Sequence, residues 1–509
     1  MTSFYLATTQ ARNVDEAGTT SLPKQDTNVQ VNGTMDSQKK ASKFRSKYKH
    51  VEALHRAVRP SVLSHDSQEV PSFLGFRNLM VLTIIVMNLR LVIENARKYG
   101  LLISVKSNIK NVDLRIGLFL YAVTPCHLLA AYMIERVAMD HAKRAMGLRK
   151  KSDAGFNAPE TEQERRAFRS TWRWIAFGHA LNATLALAIT TLVVFYAIEN
   201  PGIGRISEMH AIVVWLKTCS YAFTNRDLRH AMLHPSPSSV ALPDIYRSCS
   251  YPNNITLRNL TYFWWAPTLV YQPAYPRTDR IRWLYVGKRL GEAVALSVFM
   301  WITCAQYAVP VLHNSLDKMV VLDYPSILER LMKLSTISLI IWLAGFFALF
   351  QSFLNMLAEL LRFGDRKFYG DWWNSTCLRN YWSTWNKPVY HFMRRHVYSP
   401  LVGRGWSHSS ASTAVFVFSG FLHELAVGVP THSLLGVAFL GMVLQLPLIQ
   451  MTEPLGRSKT VAGKVLGNCI FWINFVFVGQ PLAAMIYFFS WQAKYGSLAS
   501  RYRNVAATG

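Results

Sequence analysis

The sequence predicts an all-α integral membrane protein, and three observations support that fold class. First, hydrophobic residues make up 51% of the 509 residues, whereas charged residues make up only 17%. Second, the apolar residues gather into runs close to the length of about 20 residues that a helix needs to cross a bilayer. Third, basic residues fall between those runs. Helices suit this environment because they satisfy their backbone hydrogen bonds internally.

About nine spanning helices are expected from these runs. They lie near residues 77–96, 114–134, 172–198, 206–224, 288–312, 333–361, 411–430, 434–451 and 465–491. The breaks at 135–171, 225–287, 362–410 and 452–464 are long or basic, whereas those at 199–205, 313–332 and 431–433 are short or poor in Lys and Arg. Since basic loops stay on the cytosolic side, we expect a cytosolic N-terminus and a lumenal C-terminus. The weak point is the Lys-containing break at 97–113.

Three regions follow from this pattern. Residues 1–75 are polar and are predicted to form a disordered cytosolic tail, residues 76–495 the membrane domain, and residues 496–509 a short second tail. The polybasic stretch 39–49 fits a solvated tail best, with a contact to the membrane surface or to another subunit as the alternative.

The net charge of +26 raises the question of a nucleic-acid partner. We expect none, because the basic residues alternate with membrane runs and therefore suit lipid headgroups or a phosphate-bearing acyl carrier. The six cysteines form no CxxC pair, which argues against a zinc site or a disulfide framework. No metal is expected.

Residues 362–406 combine eight Lys and Arg with two Asp and Glu and with frequent aromatic residues. A solvated loop would not carry Trp372, Trp373, Trp382 and Trp385. The mixture is typical of an interfacial anchor. It also suits a pocket in which cations meet phosphates and rings stack on an adenine. Composition alone leaves both interpretations open.

His423 lies within the seventh predicted helix. Ionisable groups at membrane depth are costly and are functional by default. At helical spacing Ser419, Gly420 and His423 share one stripe, and small residues there would allow close approach to the imidazole. A neutral buried histidine is a suitable general base for a hydroxyl attacking a thioester. The alternative is a structural histidine bonded between helices.

Such a reaction develops an oxyanion, which requires a hydrogen-bond donor. Four amide side chains lie in or beside the membrane region and are candidates: Asn374, Asn386, Gln445 and Gln480. The two glutamines lie inside apolar runs, where unpaired amides are expensive, so a bond to a neighbouring helix is an equal alternative.

At these residues the sequence resembles the membrane-bound O-acyltransferase superfamily, and within it the branch of sterol and type 1 diacylglycerol O-acyltransferases. The motif Phe368-Tyr-Gly-Asp-Trp-Trp-Asn374, followed about fifty residues later by His423-Glu424, carries the resemblance. The strings 385–389, 395–400, 479–481, 251–256 and 94–100 favour the diacylglycerol enzymes, whereas 282–286 leans towards the sterol enzymes.

The resemblance implies a multi-pass enzyme of the endoplasmic reticulum, assembled as a homodimer or homotetramer. It would transfer an acyl group from acyl-CoA, a co-substrate rather than a cofactor, to diacylglycerol. His423 would be the base, and Asn386 would help to hold the thioester. Substrate binding or support of the reaction chamber is implied for a larger set: Phe368, Tyr369, Asp371, Trp372, Trp373, Asn374, Trp385, Glu424, Gln445 and Gln480.

One departure concerns 388–392. The family has Pro-Val-His-Lys-Trp where this chain has Pro-Val-Tyr-His-Phe, so the histidine has moved to His391 and no role is carried over to Tyr390.

Two alternative functions remain. One is acylation of a sterol or other lipid alcohol, and the other is a transporter in which His423 serves as a gate or proton relay.

Overall fold

The computed structural model describes residues 50, 53–64, 71–95, 110–150, 161–234 and 243–496. Within these ranges the chain is helical and has no strand, only the isolated bridges Arg59–Asp365 and Arg277–Phe363. The polybasic stretch 39–49, most of 97–113 and the tail from residue 497 lie outside the described residues.

The helices of the first half are α1 (Leu74–Asn95), α2 (Asn111–Val123), α3 (Cys126–Lys150), α4 (Glu162–Ala197), α5 (Pro201–Leu233), α6 (Leu257–Trp265), α7 (Trp283–Thr303), α8 (Val309–Val320) and α9 (Tyr324–Phe346). Those of the second half are α10 (Leu354–Leu360), α11 (Leu378–Thr384), α12 (Lys387–Phe392), α13 (Ser399–Val402), α14 (His408–Gly428), α15 (Val437–Val443), α16 (Gln445–Gly456), α17 (Val461–Ile473) and α18 (Gln480–Tyr495). Short π-helical turns join α7 to α8, α9 to α10, α12 to α13 and α17 to α18.

Among the described residues, seven helical segments are long and apolar enough to cross a membrane. They are Asn111–Gly147, Glu162–Ala197, Trp283–Val320, Tyr324–Leu360, His408–Gly428, Val437–Gly456 and Val461–Tyr495. The two other predicted spans are helical but differ. In α1 the apolar part is the shorter Leu74–Val86, and α5 carries charges along its length. The all-α, multi-pass membrane architecture is confirmed, while a count of nine stays a prediction.

Local sequence signals explain where several helices begin. Thr161 and Glu164 form a reciprocal capping box at the start of α4. At the start of α5, Asn200 accepts hydrogen bonds from the backbone N–H groups of Gly202 and Ile203, and Pro201 occupies the first helical position.

Buried charges join three of the helices. Glu135 on α3 is completely buried and accepts hydrogen bonds from His179 Nε2 on α4 at 3.0 Å and from Arg229 Nη1 on α5 at 2.9 Å. Removing one partner of such a group would leave a buried charge uncompensated. The three helices are therefore held in register by side chains that apolar periodicity does not reveal.

Lys217 on α5 holds the short helix α6 in place through hydrogen bonds. Its buried ammonium donates to the carbonyl oxygens of Phe263, Trp264 and Ala266 at 2.8, 2.9 and 2.9 Å. These carbonyls lie at the C-terminal end of α6, where they lack partners within the helix. A single cation thus anchors α6 and the loop after it to α5.

Residues 53–64 pack against the membrane domain, although the sequence places them in the tail. His55 is buried, donates from Nδ1 to Asp365 Oδ2 at 2.7 Å and accepts from the Thr268 hydroxyl at 3.0 Å. The backbone N–H of Arg59 also donates to the Gly364 carbonyl at 2.9 Å. The side-chain hydrogen-bond partners of His55 lie more than two hundred positions away in the chain. Composition alone therefore cannot predict that this segment packs against the membrane domain.

Candidate active site

His423 belongs to the spanning helix α14. The Ser407 side chain caps this helix by accepting from the Ser410 N–H at 3.0 Å. His423 lies fifteen residues along, so the helix carries it about 22 Å from its first residue. His423 thus lies in a helix that is long and apolar enough to cross a membrane.

The hydrogen bonding of His423 defines its tautomer. Its Nδ1 lies 2.8 Å from the backbone carbonyl oxygen of Ser419. A carbonyl oxygen only accepts, so Nδ1 carries the proton and donates. The Nε2 lone pair of the neutral ring is therefore free to accept a proton from another molecule.

The His423 side chain is exposed rather than buried, so its ring is accessible to another molecule. Arg205, in the second turn of α5, is also exposed. The start of α5 packs against the chain just beyond α14, where a Cβ at Gly204 would lie 3.3 Å from Pro430 Cβ.

Arg205 was not among the residues singled out from the sequence. The break predicted at 199–205 placed it outside the membrane runs, whereas the structure includes it in α5, which begins at Pro201. An ionisable residue one turn inside a helix next to an apolar run is the signal that could have identified it.

Glu424, the neighbour of His423, has a different environment. Its carboxylate accepts from the backbone N–H groups of Gly436 at 2.9 Å and Phe439 at 3.2 Å, and from the Tyr487 hydroxyl at 2.7 Å. It thereby binds the N-terminal end of α15, where anions are favoured, and joins α14 to α18. Glu424 supports the walls around His423.

Gly420 serves the packing of α15. A Cβ at this position would lie 2.9 Å from the Phe439 ring and 3.1 Å from its carbonyl oxygen. The small residue beside His423 therefore allows α15 to pack closely against α14. The space it creates is filled by Phe439.

The motif segment, residues 368–374, lies in the protein core. Phe368, Tyr369, Trp372 and Trp373 are buried, and Asp371 is exposed. The Tyr369 hydroxyl donates to Gln351 Oε1 at 2.5 Å, and Trp372 packs among the aromatic rings of α9 and α17. These rings contribute to a core cluster rather than to an exposed interfacial surface.

Asn374 joins the motif segment to the start of α1. Its Oδ1 accepts from the Gly75 N–H at 2.5 Å, and its Nδ2 donates to the Ser72 carbonyl. Trp373 Nε1 donates to the same carbonyl at 2.8 Å. Gly75 is required here because a Cβ would lie 1.6 Å from the Trp373 carbonyl oxygen. The Asn374 amide is therefore occupied by structural partners.

The remaining candidates lie at helix ends or on helix surfaces. Asn386 caps α12 by accepting from the Val389 N–H at 3.2 Å. Gln445 donates to the Gly441 carbonyl at 3.1 Å, Gln480 begins α18, and Trp385 stacks on Tyr381 with ring centroids 5.9 Å apart. Among the described residues, none of these four side chains forms a hydrogen bond with His423.

In the part of the chain that the structure describes, no three His, Cys, Asp or Glu side chains come together as a metal site. The chemical group that the site offers is the Nε2 nitrogen of His423, which can accept a proton because Nδ1 donates to the Ser419 carbonyl.

The helical membrane architecture and an exposed histidine within an apolar helix agree with a family comparison. The model of the membrane-bound O-acyltransferase family matches residues 158–489. The chain therefore belongs to this family, and the prediction of an acyltransferase enzyme is confirmed.

Its relatives carry a narrower name. Diacylglycerol O-acyltransferase 1 of Dictyostelium discoideum is 35% identical over 432 residues, which are 85% of this chain and 64% of the relative. Diacylglycerol O-acyltransferase 1C of Glycine max is 32% identical over 450 residues, 87% of this chain and 80% of the relative. Diacylglycerol O-acyltransferase 1-2 of Oryza sativa subsp. japonica is 34% identical over 439 residues, 85% of each chain. The match thus spans less than two thirds of the Dictyostelium protein.

Proposed function

We propose that this enzyme transfers the acyl group of acyl-CoA to the free hydroxyl of diacylglycerol, with His423 as the general base. The observation that carries the proposal is the hydrogen bond from His423 Nδ1 to the Ser419 carbonyl, which leaves Nε2 able to accept a proton. The names of the relatives support diacylglycerol as the acceptor.

The proposed reaction has one proton transfer in each direction. Nε2 takes the proton from the acceptor hydroxyl as its oxygen attacks the thioester carbonyl carbon. The carbon–sulfur bond then breaks, and the thiolate of CoA receives the proton from the imidazolium. The products are triacylglycerol and CoA, so protons balance and no metal or cofactor is required.

The burial of the motif residues limits which of them can contact a substrate. Trp372 and Trp373 are completely buried, so we propose that they support the chamber by packing rather than by stacking on CoA. Asn386 begins the short helix α12 after the motif segment. Its proposed role is to position this helix near the thioester.

The proposal extends to location and assembly. We infer residence in the endoplasmic reticulum membrane with a cytosolic N-terminus and a lumenal C-terminus, supported by the basic residues of the breaks assigned to the cytosol. Assembly as a homodimer or homotetramer is proposed from the family resemblance. Protease protection of tagged termini in microsomes tests the orientation, and light scattering after size exclusion tests the assembly.

The decisive experiment compares purified wild type with His423→Ala, using labelled oleoyl-CoA and dioleoylglycerol. We expect triacylglycerol synthesis to fall roughly 10²- to 10⁴-fold, the contribution typical of general acid–base catalysis. The control is His408→Ala, which changes an exposed histidine at the start of the same helix. Size-exclusion profiles report folding.

Each result has a defined meaning. A well-folded His423→Ala enzyme with most of its rate would show that His423 is structural. A wild type that esterifies a sterol but ignores diacylglycerol would replace the substrate while keeping the base. Lipid or ion flux without ester formation would favour the transporter alternative.

A further inference from the structure

Helix α4 carries an exposed apolar stripe with an exposed aromatic residue at each end. Trp174 is 76% exposed and Tyr196 is 78% exposed. The large apolar side chains exposed between them are Phe177, Leu181, Leu185, Ile189 and Leu192. The two aromatic residues are about 33 Å apart along the helix axis. This distance matches the hydrocarbon thickness of a bilayer, whose edges favour Trp and Tyr. The membrane span of α4 is therefore expected between these two residues.

Just outside this span, α4 exposes arginine side chains whose charge is not compensated. Arg173 and Arg169 are exposed, and among the described residues neither forms an ion pair. The two arginines nearer the start of the helix differ, because Arg165 and Arg166 contact the Glu162 carboxylate at 3.0 and 3.6 Å. The free positive charge of α4 thus lies at the edge of the membrane span.

Helix α3 places two more cations at a similar depth. Glu135 accepts a hydrogen bond from His179 on α4 at 3.0 Å, so these two residues are level with each other. Lys143 and Arg144 lie about 12–14 Å beyond Glu135 along α3, and Arg169 lies about 15 Å before His179 along α4. Both α3 side chains are exposed, and neither forms an ion pair within the described chain. Two neighbouring helices therefore present cations on the same side of the membrane.

We propose that Lys143, Arg144, Arg169 and Arg173 form a basic rim that binds the phosphate groups of anionic phospholipids. Arg173 directly precedes Trp174 and so lies within the headgroup layer, which extends about 5–8 Å beyond the hydrocarbon. The other three cations lie about 6 Å further out, within one Debye length of a charged lipid surface. The guanidinium groups can each donate two parallel hydrogen bonds to a phosphate.

The apolar side chains beside the basic rim indicate a lipid rather than a soluble phosphate compound. Phe177 lies one helical turn from Arg173 towards the membrane centre and is 61% exposed, and Val137 on α3 is 70% exposed. A phospholipid carries its phosphate next to its acyl chains, so one molecule can contact both kinds of side chain. In the orientation proposed above, the basic rim faces the cytosolic leaflet, where anionic lipids attract basic residues.

The test compares two double variants that remove equal charge from α4. Arg169→Gln/Arg173→Gln removes the arginines of the basic rim, whereas Arg165→Gln/Arg166→Gln removes the two that contact Glu162. Each full-length protein would be purified in dodecyl maltoside and titrated with phosphatidate or phosphatidylcholine, both carrying the same fluorescent acyl chain. Fluorescence anisotropy gives the two dissociation constants, and their ratio reports the headgroup preference. Size-exclusion profiles report folding.

We expect the wild type to prefer phosphatidate by at least roughly thirtyfold, because each basic residue near a charged lipid contributes roughly fivefold. Arg169→Gln/Arg173→Gln should lower this preference by roughly tenfold or more, whereas the control should stay within about twofold of the wild type. Raising the salt from about 0.1 M to about 1 M shortens the Debye length from about 10 Å to about 3 Å and should weaken the preference of the wild type.

Three outcomes would overturn the proposal. Equal binding of both lipids by the wild type would show that water, not lipid, solvates the basic rim. An equal loss in the two double variants would assign the effect to the overall charge of α4. An unchanged phosphatidate preference in Arg169→Gln/Arg173→Gln, with a raised KM for oleoyl-CoA, would assign these arginines to the phosphates of CoA. The anisotropy measurement requires no turnover, so its result is independent of the proposed acyl transfer.

Discussion

The motif segment 368–374 and the His423 turn of α14 differ in how they satisfy their polar groups. In the motif segment the Tyr369 hydroxyl and the Asn374 amide are bonded within the protein, and the indole rings are buried. At His423 only Nδ1 has a hydrogen-bond partner among the described residues, and the side chain is exposed. The difference separates groups that hold the fold from groups left available for a substrate.

The largest stability effect expected from this comparison is that of Trp372→Ala. Trp372 is fully buried among aromatic rings, so the truncation should destabilise the protein by about 3–5 kcal/mol. The measurement is the thermal unfolding midpoint in detergent, followed by intrinsic fluorescence. Trp174→Ala is the control, because Trp174 on α4 is 76% exposed.

This variant also tests the comparison through activity. Triacylglycerol synthesis per folded molecule should remain within a few-fold of wild type at low temperature, in contrast to His423→Ala. A folded Trp372→Ala protein with a normal midpoint and a raised KM for acyl-CoA would instead make Trp372 a substrate contact.

An intermediate effect is expected for Asn374→Ala. The change removes the acceptor for the Gly75 N–H and a donor to Ser72, and should reduce stability by about 1–3 kcal/mol. Asn380→Ala removes an exposed amide nearby and should have little effect. Both midpoints would be measured in the same detergent. A stable Asn374→Ala enzyme with a kcat lowered about a hundredfold would instead indicate that this amide donates a hydrogen bond to the oxyanion.

The smallest effect concerns pH and His391, which lies in α12, shortly after the motif segment. Burial, followed by the nearby His55, lowers the pKa of His391 to about 4. The Asp365 carboxylate opposes this lowering of the pKa, whereas the charges of Lys387 and Arg59 add to it. Below its usual pKa of about 6.5 the unfolded chain binds a proton that the folded protein does not. Stability should therefore decline as the pH falls from about 6.5 towards 4.

His391→Gln should weaken this acid sensitivity, with a difference on the order of 1 kcal/mol across the window. The unfolding midpoint would be recorded at intervals between neutral pH and pH 4.5, with His141→Gln as an exposed control. Parallel pH curves for wild type and His391→Gln would show that another group controls the acid response.

The sequence predicted the features that depend on local pattern. Apolar runs located the spanning helices, and an ionisable residue in such a run identified His423. The sequence could not show whether the tryptophans of 368–374 face lipid, CoA or the core, because composition does not specify packing partners. The same limit applies to His55 and Asp365, which lie more than three hundred residues apart in the chain. The start of α5 was also missed, because the predicted helix began at residue 206 whereas α5 begins at Pro201.

The hydrogen bonds that hold the Glu424 carboxylate have a geometric consequence for His423. Successive residues of an α-helix are rotated by about 100° around its axis. Since the bonds from Gly436, Phe439 and Tyr487 hold Glu424 in one direction, they also set the direction of the adjacent imidazole. This reference point lies on the C-terminal side of His423. A change in the length of the start of α14 would therefore alter its contacts with lipid without changing the angular position of His423.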